Sequence, residues 1–169
     1  HAKSNDVVLG HFGGPLIPTK VTKALAKKMG FSYASDAAFD ALDCNTIASG
    51  DVDVINTTLQ LVLPCLDKVK VLASIGGQRI SLTPDTPTVA ELEADLGISL
   101  WNGLFVHKDT PQDVREKIIA SAMKTMTSDR AQALAAETGA LVYWQSADET
   151  TARIETDTVM FDAINASLN

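Results

Sequence analysis

The residues best suited to do chemistry cluster near the start of the chain. Val7-Val8-Leu9 is followed at once by Gly10-His11-Phe12-Gly13-Gly14-Pro15, and a helical pattern begins near Pro18. An apolar strand, a glycine-rich turn and a helix N-terminus together make a ready anion site. Several N–H groups can converge there, and the helix dipole favours negative charge. Glycine matters because a side chain would block close approach. The spacing is neither a Walker motif nor the dinucleotide fingerprint. From the residues alone, two readings stay open: an anion-binding loop or an ordinary strand-to-helix turn. His11 could donate to a bound carboxylate or stand as an exposed loop histidine. No neighbouring nucleophile is there for it to activate, so it is not expected to be catalytic. Asn56-Thr57-Thr58 follows the predicted strand Val52-Asp53-Val54-Ile55. Ligands of open α/β sheets bind beyond the carboxyl ends of strands, which makes these polar residues candidate contacts. The same residues could instead cap the Leu59-to-Leu63 segment, or do both.

The elements that must position these residues alternate. The first predicted helix runs from about Pro18 to Lys28 with Val21, Leu25 and Met29 inward and Lys20, Lys23, Lys27 and Lys28 outward, stopped by Gly30. Phe31-Ser32-Tyr33 reads as a second strand, and Ser35 or Asp36 as the cap of a helix reaching about Ala48 that buries Phe39, Leu42 and Ile47. Gly50 ends that helix. Val69 to Ile75 reads as an apolar strand, Trp101 to Val106 as a buried one and Leu141 to Trp144 as the last. Pro84 and Pro87 bar a helix before Thr88, after which Val89, Leu92 and Leu96 form a short apolar stripe. Thr110 as N-cap and Pro111 at the first helical position open a helix to Met126, with Val114, Ile118, Ala122 and Met126 on one face. A further helix covers Asp129 to Glu137 and stops at Gly139. Ser146 and Glu149 form a capping box for the final helix, which buries Ile154, Phe161 and Ile164. Such alternation implies an α/β fold with a largely parallel sheet flanked by helices.

Composition narrows the function classes. The net charge is −7 and no basic cluster exists, so nucleic acid is not an expected partner. No apolar run is long enough to cross a bilayer. Nothing at the start reads as a signal peptide, so a mature or trimmed chain is expected. Neither a Ser-His-Asp order nor a metal motif accompanies the histidines, so no enzyme activity, metal or cofactor is expected. Cys44 and Cys65 are either one disulfide, worth about 3 kcal/mol by loop entropy, or two small buried thiols. They are expected to lie close enough to pair.

Three separate motifs carry a resemblance. Pro84-Asp85-Thr86-Pro87-Thr88 with Glu91-Leu92, then Trp101-Asn102-Gly103-Leu104, then Thr110-Pro111, resemble the C-terminal half of the substrate-binding proteins of tripartite tricarboxylate transporters, the TctC or Bug family. Ser32-Tyr33, Ser49-Gly50-Asp51-Val52-Asp53-Val54 and Val69-Lys70-Val71-Leu72-Ala73 fall where that family has similar segments. Its members are longer and two-lobed. The resemblance implies that residues 5–100 form the second lobe of a periplasmic binding protein and residues 101–169 a C-terminal helical return into a largely missing first lobe. It also implies a periplasmic protein that binds a small organic carboxylate without covalent chemistry and delivers it to membrane components of a transporter. The implied ligand set is Gly10, His11, Phe12, Gly13, Gly14, Ser35, Asn56, Thr57 and Thr58, with Asp36 a cap and Arg79 structural or solvated. Phe12, Pro15 and Leu16 stand where the family has small hydroxylated residues, which leaves the ligand open. A periplasmic interaction or sensor module and a small hydrolase are the alternatives. Without first-lobe strands, the apolar faces after Trp101 would be covered by another copy, making a homo-oligomer through the C-terminal third.

Overall fold

Strand β1 (Val8–His11) lies at the centre of a three-stranded parallel sheet, between β2 (Ser35–Ala38) and β3 (Val54–Ile55). The structure, a computed structural model, describes residues 6–168. Helix α1 (Ile17–Lys28) connects β1 to β2, and α2 (Cys44–Ala48) connects β2 to β3. Helices α3 (Leu59–Val62), α4 (Val89–Leu92), α5 (Gln112–Met126), α6 (Asp129–Thr138) and α7 (Ala147–Leu168) follow. The class is the expected one, a mixed α/β fold with a small parallel sheet flanked by helices. In the register Val8 pairs with Ser35, His11 with Ala38 and Gly10 with Ile55. The carboxyl ends of all three strands therefore open on the same side as the glycine loop.

Helix α1 is the hinge of the packing. Val21 and Ala24 point into a cluster with Val89, Leu96, Ile98 and Ile164, so that the last helix covers the first. Gly30 takes a left-handed φ of 80° and stops α1. Met29, expected inward, lies past the last turn and is 61% exposed. The lysines, expected to be solvated, each reach another element. Lys23 Nζ meets Asp36, Lys28 Nζ meets Asp95, and Lys27 Nζ donates to the Ser167 carbonyl. Lys20 lies 4.9 Å over the Phe161 ring.

Tertiary pairing moved several elements. Phe31-Ser32-Tyr33 forms no strand, because the Phe31 N–H closes the end of α1 on the Ala26 carbonyl at 3.0 Å. Pairing with β1 starts at Ala34, whose N–H donates to Val7. The expected helix from Ser35 to Ala48 is instead a strand and a short helix. Residues 35–38 bond to the edge of β1, and the cap of α2 is Asp43, whose Oδ1 accepts from Asn45 N at 2.8 Å and Thr46 N at 3.3 Å. Leu42 is buried as expected, whereas Phe39 and Ile47 are half-buried. Pro111, not Thr110, holds the cap position of α5, and none of that helix's residues is buried. The Ser146–Glu149 capping box opens α7 as expected, and Ile164 is buried while Ile154 is 40% exposed. Val69–Ile75, Trp101–Val106 and Leu141–Trp144 belong to no strand. Ser74 makes one isolated bridge with Thr88.

Two fasteners tie distant parts together. A disulfide joins Cys44 to Cys65, with Cα atoms 5.9 Å apart, and fixes α2 to the turn after α3. Arg153 and Asp157 on α7 hold Trp101: its Nε1–H donates to Asp157 Oδ2 at 2.8 Å, and the Arg153 guanidinium lies 5.5 Å over the ring. Arg153 also donates to the Tyr143 hydroxyl at 2.7 Å.

Candidate functional site

The glycine loop leaves the carboxyl end of β1 and turns into α1. Thr19, fully buried, donates from its hydroxyl to the Gly13 carbonyl at 2.8 Å, and Leu16 N–H donates to the same oxygen at 3.2 Å. These two bonds fix the loop against the first turn. Leu16 at the cap offers no side-chain oxygen to the helix, and Pro18 removes one donor. The N–H groups of Gly13, Gly14 and Ile17, none of them fully buried, have no partner among the described residues. Unspent donors at the positive end of a twelve-residue helix suit a small anion.

The glycines play different parts. Gly10 is buried in β1, and a Cβ there would meet Leu42 at 3.0 Å and Ile55 at 3.2 Å. Its glycine serves packing, and its carbonyl is taken by Asn56 N–H at 2.9 Å, so it has no face for a ligand. Around Gly14 there is open space, so an anion can approach its amide.

His11 is neither a loop residue nor exposed. It ends β1, is 3% exposed, and its Nε2 lies 2.7 Å from Asp36 Oδ2. Asp36 also meets Lys23 Nζ at 2.7 Å. Lys23 first, and His11 second, hold the Asp36 carboxyl below the usual carboxylate range. An ionised Asp36 can only accept, so His11 Nε2–H donates to it, and Nδ1 is buried without a partner among the described residues. Asp36, expected as a cap, is thus the partner that fastens β2 to β1 and α1. Sequence reading missed this cluster because 25 residues separate His11 from Asp36 and no local pattern links them.

Beyond β3, Asn56 Nδ2 donates to Thr22 Oγ1 at 3.0 Å, and Thr22 in turn to the Pro18 carbonyl at 2.8 Å. Thr57 donates to the Leu42 carbonyl at 2.6 Å. Thr58 sits at the cap position of α3, but its side chain makes no cap bond and is exposed. Phe12, Thr22 and Asn56-Thr57-Thr58 are among the residues lining a groove of about 2640 Å³, together with residues from 68–80, 99–106, α5 and 139–154; Gly13 and Gly14 are not among them. Phe12, Asn56, Thr57 and Thr58 therefore border the same groove. His11 lies beneath them on the Asp36 side, and Ser35 is apart. The register sets Ser35 level with Val8, at the opposite end of the sheet from the loop, about 10 Å along the strand. Thr19 and Thr22 were missed as supports. Their only sequence signal was two threonines in the first turns of a helix that lacks a capping side chain.

Arg79 is structural, as expected. It forms a bidentate pair with Glu91 at 3.0 Å and donates to the Pro84 carbonyl. That guanidinium, more than the Thr88 N–H, pushes the Glu91 carboxyl down to about 2. Among the described residues no group of His, Cys, Asp and Glu is arranged to hold a metal. No described helix is long and apolar enough to cross a membrane.

The family profile described as the tripartite tricarboxylate transporter family receptor, TctC, matches residues 17–166, and the chain belongs to that family. The matched range begins after the glycine loop. A UPF0065 protein from the TAR-I ttuE-ttuC′ intergenic region of Agrobacterium vitis is 39% identical over 75 residues, 44% of this chain and 20% of that protein. The crystal structure of a TctC solute binding protein from Polaromonas, without ligand, matches with a TM-score of 0.71 at 21% identity. That match covers 95% of this chain and 57% of the Polaromonas chain, and it shows a shared fold. The chain thus spans less than two thirds of either relative.

Proposed function

We propose that this chain is a solute-binding component of a tripartite tricarboxylate-type system, which captures a small organic carboxylate in the periplasm and presents it to membrane components of a transporter. The observation that carries this reading is the set of unspent donors at the start of α1, at the same carboxyl edge of the sheet as the polar residues that follow β3. A chain of net charge −7 must hold an anion through local donors, and backbone N–H groups and hydroxyls provide them without countercharge. Gly13, Gly14, Phe12, Asn56, Thr57 and Thr58 are the proposed contacts, with His11 and Thr19 as supports beneath them. Residues 5–100 are the proposed binding unit and residues 101–169 the return segment. One wall of contacts leaves a ligand largely solvated, so affinity is weak, roughly millimolar.

Amide chemical shifts recorded during titration with citrate, malate and succinate test the reading. Saturable shifts confined to Phe12–Gly14 and Asn56–Thr58 are expected, and uniform or absent shifts would overturn it. A hydrolase is the weaker reading despite the His11–Asp36 pair. Among the described residues no hydroxyl or thiol meets the buried second ring nitrogen of His11, which gives the pair no nucleophile there to activate.

A further inference from the structure

The hydrogen bonds at the end of β3 decide which way its polar side chains can serve a solute. The Pro18 carbonyl only accepts, so at 2.8 Å it takes the hydroxyl hydrogen of Thr22. Thr22 Oγ1 is thereby left an acceptor, and the end of the Asn56 side chain that meets it at 3.0 Å must be the amide nitrogen. The carboxamide is held with Nδ2 on α1, and its Oδ1 has no partner among the described residues. The second Nδ2 hydrogen belongs to that same end. Thr57 is committed in the same sense. Its hydroxyl hydrogen goes to the Leu42 carbonyl at 2.6 Å, which leaves only lone pairs on Oγ1. Thr58, exposed and making no cap bond, keeps a hydroxyl that can serve either way.

The main chain adds to the lock. Asn56 N–H donates to the Gly10 carbonyl at 2.9 Å, so the residue cannot turn as a whole. Every bond in this set lies within residues 10–57 and does not depend on what covers the far side of the groove. Donors and acceptors are thus divided along the carboxyl edge of the sheet. The N–H groups of Gly13, Gly14 and Ile17 are unspent donors, which suit a carboxylate. The half-buried Asn56 and Thr57, which border the groove, present oxygen lone pairs. Lone pairs repel a carboxylate oxygen and accept from a hydroxyl or an ammonium group.

We infer that the solute is a carboxylic acid that also carries a hydrogen-bond donor, a hydroxyl or an ammonium group. Thr22 is the positioning residue for this preference, acting through the Asn56 carboxamide that it holds. The inference rests on solute binding at this edge of the sheet and names the class of solute.

Titration of the full chain with succinate, L-malate and L-aspartate tests it. The three share a four-carbon dicarboxylate and differ in carrying hydrogen, hydroxyl or ammonium at one carbon. Affinities are read from the amide shifts of residues 12–14 and 56–58. One added hydrogen bond at a half-exposed site should favour malate, aspartate or both over succinate by roughly three- to tenfold. Aspartate carries a positive charge that a chain of net charge −7 attracts in any case, so the Thr22 variants decide the cause. Thr22→Val frees the carboxamide to turn its nitrogen to the solute, and the ratio should fall below about twofold while far-UV circular dichroism stays that of the parent. Thr22→Ser keeps the hydroxyl and should keep the ratio. Succinate binding as well as both other acids, a preference that survives Thr22→Val, or one lost in Thr22→Ser would each overturn the inference while leaving carboxylate capture intact. No saturable shift with any of the three acids would overturn both.

Discussion

Truncating Ile164 to alanine tests whether the end of the chain is built into the same cooperative unit as its beginning. Ile164 is 1% exposed and sits among Val21 and Ala24 of α1, Val89 of α4, Leu96 and Ile98. Lys20 and Lys27 hold α1 and α7 together on either side, which limits how far the two helices can close over the space left. Removing the outer carbons of a buried isoleucine costs transfer free energy plus the cavity left behind, about 3 kcal/mol here within a usual range of 2–5. Val159→Ala on the same helix is the control. That side chain is 72% exposed, so a change below about 0.5 kcal/mol is expected. Urea unfolding followed by tryptophan fluorescence and far-UV circular dichroism reads both. Trp101 and Trp144 report on the C-terminal part, and ellipticity reports on the whole chain. The prediction is one coincident transition whose midpoint drops for Ile164→Ala with an unchanged slope. A loss below about 1 kcal/mol, or a fluorescence transition that separates from the ellipticity, would refute the packing of α7 on α1 as a source of stability.

Other consequences can be measured with the same assay. Replacing Cys44 and Cys65 together by serine should cost about 3 kcal/mol, since the bond closes a loop of 21 residues; an unchanged midpoint against the oxidised parent would contradict this. Asp36 has a folded pKa below its unfolded value, so its contribution is full above about pH 4 to 5 and fades as pH falls further. The stability gap between the parent and Asp36→Asn should accordingly narrow on acidification, and a gap that widens would mean the Lys23 and His11 contacts are wrongly assigned. Thr88→Val breaks the reciprocal cap with Glu91 at the start of α4, and a loss of about 1 kcal/mol is expected; no loss would show that the cap contributes nothing.

Local rules made the helices legible. Gly30, Gly50 and Gly139 all take left-handed φ angles where helices or turns end, and the Ser146–Glu149 box opens α7. The strands were harder for two opposite reasons. Ser35-Asp36-Ala37-Ala38 has poor strand propensity and is a strand because the free edge of β1 accepts it. Trp101–Val106 has the propensity and is not a strand, because no ladder partner exists within the described chain. Strand formation needs a neighbour as well as a sequence. The site divided in the same way. The glycine turn followed by a helix could be read directly, as could the polar triplet after β3. The burial of His11, its bond to Asp36 and the support of Asn56 by Thr22 depend on contacts across 25 and 34 residues. No periodicity records those distances.

Solute capture by this chain rests most directly on the unspent donors at the start of α1. Amide-resolved titration of the full chain with a small di- or tricarboxylate addresses them without assuming tight binding. The predicted result is saturation in the roughly millimolar range, with the largest shifts at Gly13, Gly14 and Thr58 and none at Ser35. Shifts centred elsewhere, or none at these amides when the acid is in large excess, would contradict the account.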